Sequence, residues 1–147
     1  VEIQSESQLC GSRGACWLWY QPDPHTSLDL SGEWSASTEL LRYDTPLRLP
    51  GDYNAFAFRR TVTVPAEHAG KNAVLNVDAT GPLLGVLING HWVRRFHHMI
   101  GPRWSLNLTP WVRFGEENEI ELVCNGRPER GHVNAVSLDL YKAEAYP

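Results

Sequence analysis

Apolar residues along this chain come in short runs that alternate with polar residues, and glycine, proline and asparagine separate the runs. This rhythm is typical of antiparallel strands in a sandwich or barrel, whereas no stretch has the spacing of a long amphipathic helix. The sequence therefore predicts an all-β fold, an antiparallel β-sandwich of two packed sheets. The predicted strands are 15–20, 33–37, 55–64, 72–77, 83–88, 91–96, 103–108, 119–124 and 135–142.

The clearest turn is the Asn89-Gly90 pair, which lies between two apolar runs. Asparagine and glycine adopt the positive φ angles of a two-residue hairpin, so we expect residues 83–88 and 91–96 to pair directly. Trp34, on the predicted strand 33–37, and Trp92, on the predicted strand 91–96, are predicted to face the core. Trp111, in a Thr-Pro turn, is predicted to be a packing residue.

The chain has 147 residues, which is the size of one domain. Residues 1–26 are predicted to form an irregular lead-in packed on the sandwich, and residues 27–147 the sandwich itself. No apolar run approaches the roughly 20 residues of a membrane span, so we expect no membrane contact. The formal net charge of −4 argues against a nucleic-acid partner, which would require a basic excess.

The three cysteines match no zinc-binding pattern. A disulfide between Cys10 and Cys16 and a pair of free thiols are both compatible with the spacing. Cys124 follows an apolar run and is predicted to be a small buried hydrophobic residue.

A series of short motifs follows in fixed order between residues 27 and 123. They are residues 30–34 (LSGEW), 49–53 (LPGDY), 56–65 (FAFRRTVTVP), 69–71 (AGK), 86–90 (VLING), 106–110 (LNLTP) and 115–120 (GEENEI). The series resembles the N-terminal sugar-binding domain of glycoside hydrolase family 2, the β-galactosidase and β-glucuronidase family. His97 lies near a recurrent histidine of that domain, whereas Asn107 replaces its usual aspartate. The resemblance implies a galactose-binding-like jelly roll.

In that family the domain carries no catalytic residues, and this sequence has no nucleophile elbow, phosphate loop or HExxH motif. We therefore expect no enzymatic activity of its own, but a non-catalytic carbohydrate-binding accessory domain of a larger, secreted or periplasmic glycan-degrading enzyme. Its expected partners are a carbohydrate and the catalytic domain of the same polypeptide. The alternative is a domain that braces the catalytic part of a glycoside hydrolase or polysaccharide lyase and binds no sugar.

The candidate ligand-binding residues form a cationic cluster with one aromatic side chain. They are Arg95, His97, His98, Arg103 and Trp104, joined by Arg127 and Arg130 from a later loop. Arginine holds carboxylates and sulfates with paired hydrogen bonds, which predicts an anionic polysaccharide as ligand. A solvated strand edge and a docking surface for a neighbouring domain remain open for the cluster, and Trp104 could bind or pack.

No cofactor is required by the sequence. A structural calcium ion is compatible with this fold, and Glu2, Asp29 and Asp139 are its candidate oxygen donors.

Overall fold

The computed structural model describes residue 24 and residues 26–40, 42–95, 103–124 and 128–143, with the backbone alone at residues 94 and 95. About two-thirds of these residues lie in antiparallel strands, so the predicted β-sandwich is confirmed. The strands are β1 (Thr26–Asp29), β2 (Gly32–Ser37), β3 (Thr45–Leu49), β4 (Gly51–Ala55), β5 (Ala57–Thr63), β6 (Asn72–Thr80), β7 (Gly85–Ile88), β8 (His91–Arg95), β9 (Arg103–Asn107), β10 (Glu117–Val123) and β11 (Glu129–Tyr141). A single 3₁₀ turn, Ala66–His68, follows β5.

The strands form two sheets. The five-stranded sheet has the order β1-β11-β6-β9, and β4 pairs with the first part of β11 while β1 pairs with its later part. The six-stranded sheet has the order β3-β2-β5-β10-β7-β8. Within the described residues, no helix is long and apolar enough to cross a membrane.

Apolar side chains from the inner faces of both sheets fill the space between them. Trp34 and Phe58, from β2 and β5, meet edge to face with ring centroids 5.7 Å apart, and Tyr53 lies 5.1 Å from Phe58 on its other side. Leu75 and Leu138 come from the opposite sheet and are fully buried. Removing this apolar surface from water is the main stabilising contribution to the fold.

The motif at residues 30–34 folds around one carbonyl group. The Leu30 oxygen accepts a hydrogen bond from Trp34 Nε1 at 2.8 Å and another from Arg60 Nη1 at 2.9 Å. Arg60 also donates to the Ser31 carbonyl, and Gly32 has a φ of 111° that side-chain-bearing residues rarely adopt. Two separate motifs are thus joined at the entry to β2.

The hairpin between β7 and β8 is held by a pair of asparagine amides. Asn89, with a φ of 51°, accepts from the Glu119 N–H at 2.9 Å and donates to the Trp111 carbonyl at 3.1 Å and to Asn118 Oδ1 at 3.0 Å. Asn118 is fully buried and also bonds to both backbone groups of Arg113. These amides satisfy backbone groups that would otherwise be buried unpaired.

Residue 107 is an asparagine where the motif that the sequence resembles has an aspartate, and its side chain still provides a hydrogen-bond acceptor. Asn107 Oδ1 accepts from the Thr109 N–H at 3.0 Å and from Thr109 Oγ1 at 2.6 Å. The Ala73 N–H in turn donates to Thr109 Oγ1 at 2.8 Å, which fixes the turn against β6. An asparagine therefore closes this turn as an aspartate would.

Several predictions about single residues can now be checked. Trp34 is in the core, Trp111 packs against the core, and Cys124 is fully buried, as predicted. The prediction for Trp92 was wrong: its side chain is 51% exposed. The hairpin places Trp92 opposite Leu87, whose neighbours Val86 and Ile88 point inward, so Trp92 shares the outward face of Leu87.

Strand boundaries also differ from the prediction. β1, β3 and β4 were not predicted, the predicted strand 55–64 begins at Ala57, and β11 begins at Glu129 rather than residue 135. The predicted strand 15–20, the Cys10 and Cys16 pair and nearly all of the predicted lead-in lie outside the described residues.

Candidate functional site

The predicted cationic cluster is only partly within the described residues. Arg103 begins β9 with a side chain that is 85% exposed, and its Nε donates to Asp78 Oδ2 at 2.9 Å. Asn134 Nδ2 donates to the other Asp78 oxygen at 3.1 Å. The hydrogen bonds from Asn134 and Arg103 lower the pKa of Asp78, because they stabilise the charged carboxylate.

The other predicted binding residues lie in different places. Trp104 lies opposite buried Val77 and packs against the core. The sequence left a binding role and a packing role open for Trp104, and this contact is the packing one. Arg130 is exposed on β11, toward the same end of the five-stranded sheet as Arg103. The backbone of Arg95 belongs to β8 in the other sheet. His97, His98 and Arg127 lie outside the described residues.

Two of the three candidate calcium donors are engaged in hydrogen bonds. Asp29 Oδ1 accepts from the N–H and hydroxyl of Ser31 at 2.9 and 2.6 Å, and these bonds lower the pKa of Asp29. Asp139 accepts from Ser27 and Asn76, both at 2.5 Å. Glu2 lies outside the described residues. Within the described ranges, no group of three or more acidic, histidine or cysteine side chains is arranged to hold a metal ion.

A different concavity lies on the outer face of the six-stranded sheet, over β2, β3 and β5. It is an open cleft of about 540 Å³. Its lining is mostly polar and consists of Glu33, Trp34, Ser35, Tyr43, Asp44, Pro46, Arg59, Arg60, Thr61 and Glu119. None of these residues was predicted from the sequence as part of a site.

Tyr43 and Arg59 both line this cleft, which we call the Tyr43 cleft. The Arg59 guanidinium carbon lies 4.1 Å from the centroid of the Tyr43 ring, a cation–π contact. Tyr43 donates its hydroxyl proton to Glu121 Oε1, and Arg59 Nη1 lies 3.5 Å from Glu119 Oε2. Partial burial, followed by the hydrogen bond to Glu121, raises the pKa of Tyr43.

Strand register explains why these groups meet. Arg59 on β5 lies directly opposite Ser35 on β2 and Glu121 on β10, and alternation turns all three to the outer face. The buried neighbours Trp34, Phe58 and Leu122 face the core instead. A signal for this face was present in the sequence, because Glu117, Glu119 and Glu121 alternate with buried residues along β10.

The arrangement suits recognition of a hydroxyl-rich molecule. Tyr43 is fixed at both its ring and its hydroxyl, so little conformational entropy is lost when a ligand binds beside it. The guanidinium offers N–H donors and the carboxylates offer acceptors, which together match groups that both donate and accept. Pockets that bind small polar ligands place a few such groups around a flat side chain.

Comparison with known proteins finds similarity at the level of the fold. No protein-family model matches the sequence, and no curated protein matches it. Solved structures do match. A β-glucuronidase of Ruminococcus gnavus gives a TM-score of 0.68 at 12% identity over 83% of this chain and 29% of that one. A Lactobacillus rhamnosus β-glucuronidase gives 0.64 at 16% identity over 83% and 30%, and a Dictyoglomus thermophilum β-D-glucuronidase gives 0.61 at 21% identity over 72% and 20%.

These matches concern one part of much larger chains, since this chain spans only between 20% and 30% of their lengths. The sequence resemblance is therefore confirmed for the fold: this chain is an all-β sandwich similar to one domain of these larger enzymes.

Proposed function

We propose that this chain is a non-catalytic, carbohydrate-binding accessory domain of a larger, secreted or periplasmic glycan-degrading enzyme, and that the Tyr43 cleft is where it binds sugar. The observation that carries the proposal is the contact of Arg59 with the Tyr43 ring in the lining of an open polar cleft, with the Tyr43 hydroxyl bonded to Glu121. The fold, which matches a fraction of several β-glucuronidases, supports the glycan-degrading context.

The charges of the cleft favour a neutral glycan. Three lining carboxylates, those of Glu33, Asp44 and Glu119, stand against two guanidiniums. Arg59 is shared with Tyr43 and Glu119, and Arg60 donates to backbone carbonyls. A uronate or sulfate would meet more negative than positive charge here, which opposes its binding. The prediction of an anionic ligand from the sequence concerns different residues, Arg103 and Arg130, at one end of the five-stranded sheet.

Two carboxyl groups outside the Tyr43 cleft, Asp29 and Asp78, lack the character of a glycosidase acid. A glycosidase acid needs a pKa raised by burial or by a neighbouring negative charge. Hydrogen bonds lower the pKa values of both Asp29 and Asp78. Such groups stay ionised and do not supply a proton near neutral pH.

Isothermal titration calorimetry with neutral and glucuronate-containing oligosaccharides tests the proposal. We expect measurable binding of a neutral glycan, weakened about tenfold or more, or roughly 1.4 kcal/mol, by Tyr43→Ala and by Arg59→Ala. Arg103→Ala is the matched control, because it removes an exposed arginine from the other sheet, and it should leave the affinity unchanged.

Circular dichroism checks that each variant folds, and Tyr43→Phe, which keeps the ring but not the bond to Glu121, provides a milder change. Flat isotherms for every neutral and acidic glycan, together with tight association to a separately produced catalytic domain, would overturn the proposal in favour of a bracing role. A loss of affinity in Arg103→Ala but not in Arg59→Ala would move the site to the five-stranded sheet.

A further inference from the structure

An exposed tryptophan lies on the same face as the Tyr43 cleft. Trp92, on β8, is 51% exposed, and its direct cross-strand partner is Leu87 on β7. Leu87 is partly exposed and points outward, since Val86 and Ile88 on either side of it are completely buried. Trp92 and Leu87 therefore form a small apolar platform on the outer face of the six-stranded sheet.

The register connects this platform to the cleft in one continuous row. Leu87 is opposite Glu121, Glu121 is opposite Arg59, and Arg59 is opposite Ser35. Three inter-strand spacings of roughly 4.8 Å separate Arg59 from Trp92, which gives about 14 Å. That span is longer than one pyranose ring.

The chemistry of the row changes along its length in a way that fits a glycan. Arg59 and Glu121 offer hydrogen-bond donors and acceptors at one end, and Trp92 offers a flat apolar surface at the other. Sugar rings carry hydroxyls at their edges and C–H groups on their faces, so one ring can use the polar end while another stacks on the indole. The backbone groups of the central strands are already paired in the sheet, which excludes an added peptide strand there.

We infer that the outer face of the six-stranded sheet binds an extended neutral oligosaccharide that lies across the strands, from the Tyr43 cleft over Glu121 and Leu87 to a second subsite on Trp92. The inference rests on the proposed function and specifies it. It names a chain of several sugar units as the ligand instead of a single sugar, and it assigns Trp92 as a binding residue at the far end.

The test is a chain-length series. Xylo-, manno- and galacto-oligosaccharides, each from the monosaccharide to the hexasaccharide, are titrated calorimetrically into the wild-type chain, Trp92→Ala and Tyr43→Ala. We expect the wild-type affinity for one of the three series to rise at least tenfold between the shortest and longest members. Trp92→Ala should abolish that rise and leave the shortest ligands unaffected, whereas Tyr43→Ala should weaken all lengths.

Leu40→Ala is the matched control, because Leu40 is also an exposed apolar side chain, at 68%, but is not in the row. Trp92→Phe keeps a smaller ring and should keep part of the rise in affinity with chain length.

Binding that is independent of chain length, or a Trp92→Ala effect equal for all lengths, would overturn the inference while leaving the Tyr43 cleft as a sugar site. An absence of binding by all three series would overturn the inference and the neutral-glycan proposal together. A separately produced catalytic domain could instead bury Trp92. Its addition would then protect part of the tryptophan fluorescence from quenching in the wild type but not in Trp92→Ala, and that result would overturn this inference without overturning the proposed function.

Discussion

At the scale of single residues, several side chains of the sequence motifs hold the backbone in place. Trp34 and Arg60 both donate to the Leu30 carbonyl, and Asn89 and Asn118 satisfy the backbone of neighbouring turns. These contacts explain why motifs that are far apart in sequence predict one fold. These four side chains do not identify a ligand, since their polar groups are used internally.

Asp78 provides a pH-dependent prediction at this scale. Its pKa is lowered first by the hydrogen bond from Asn134 and next by that from Arg103. We expect Arg103→Ala to raise the pKa of Asp78 without returning it to its ordinary value. Asn134→Ala, as a separate variant, should raise the pKa of Asp78 more than Arg103→Ala does. Carbon-detected NMR of the side-chain carboxyl during an acid titration measures both.

The sign of the stability effect follows from the lowered pKa. The stabilisation is present above the unfolded-state pKa and is lost as the pH falls through the lower folded-state value. Asp29 is the comparison residue: its pKa is lowered by hydrogen bonds from Ser31, so neither variant should change its titration. An unchanged Asp78 titration in both variants would show that these hydrogen bonds do not form in solution.

At the scale of elements, β4, β6 and β11 approach one another closely at Gly131 in the five-stranded sheet. Tyr53 extends from β4 across Gly131 on β11, and a Cβ atom at Gly131 would overlap the Tyr53 ring and hydroxyl and lie 2.5 Å from the Thr80 carbonyl oxygen. The Tyr53 hydroxyl is itself buried, and no described residue bonds to it. The close approach of these strands therefore depends on glycine.

We expect Gly131→Ala to reduce the free energy of unfolding by about 3 kcal/mol, because two strands and a buried ring would have to move. Gly70→Ala is the control: Gly70 has a φ of 84° but no atom within 4 Å of the added group, so only backbone strain of roughly 1–2 kcal/mol applies. Urea denaturation followed by circular dichroism compares the two. Equal losses in both variants would contradict the crowding at Tyr53.

The elements also show what the sequence could and could not predict. The Asn89-Gly90 turn predicted the β7–β8 hairpin, and that hairpin excludes the predicted core position of Trp92, because Val86 and Ile88 already fill the inner face. Strands β3 and β4 were not predicted because Pro46, Arg48 and Pro50 give this stretch the composition of a turn. Their pairing with β2 and β11 overrides local propensity.

The candidate site was missed for a related reason. Tyr43 lies in a short connection before β3, and Arg59 belongs to a motif that predicts a strand rather than a site. Only the register of β2, β5 and β10 brings Ser35, Arg59 and Glu121 side by side. Alternation along one strand shows which face a side chain takes, but which residues of distant strands lie opposite each other is evident only in the folded sheet.

At the scale of the whole molecule, the two outer faces differ in character. The face of the six-stranded sheet carries the Tyr43 cleft and the Trp92 platform. The described end of the five-stranded sheet carries hydrogen-bonded polar pairs, namely Arg103 with Asp78 and His132 with Asp52, whose Nδ1 and Oδ1 atoms are 2.6 Å apart. We propose that the first face meets the glycan and that the sandwich is carried by a larger enzyme chain, as the partial coverage of its structural neighbours suggests.

The most direct test of this account is a nitrogen–proton NMR titration of the chain with the oligosaccharide that binds best in calorimetry. The account predicts that the largest shift changes lie at Ser35, Arg59, Glu121 and Leu87 and at the indole N–H of Trp92, with little change at Asp78, Arg103 and His132. Shift changes confined to Arg103, Arg130 and their neighbours, with the Tyr43 cleft unaffected, would contradict it.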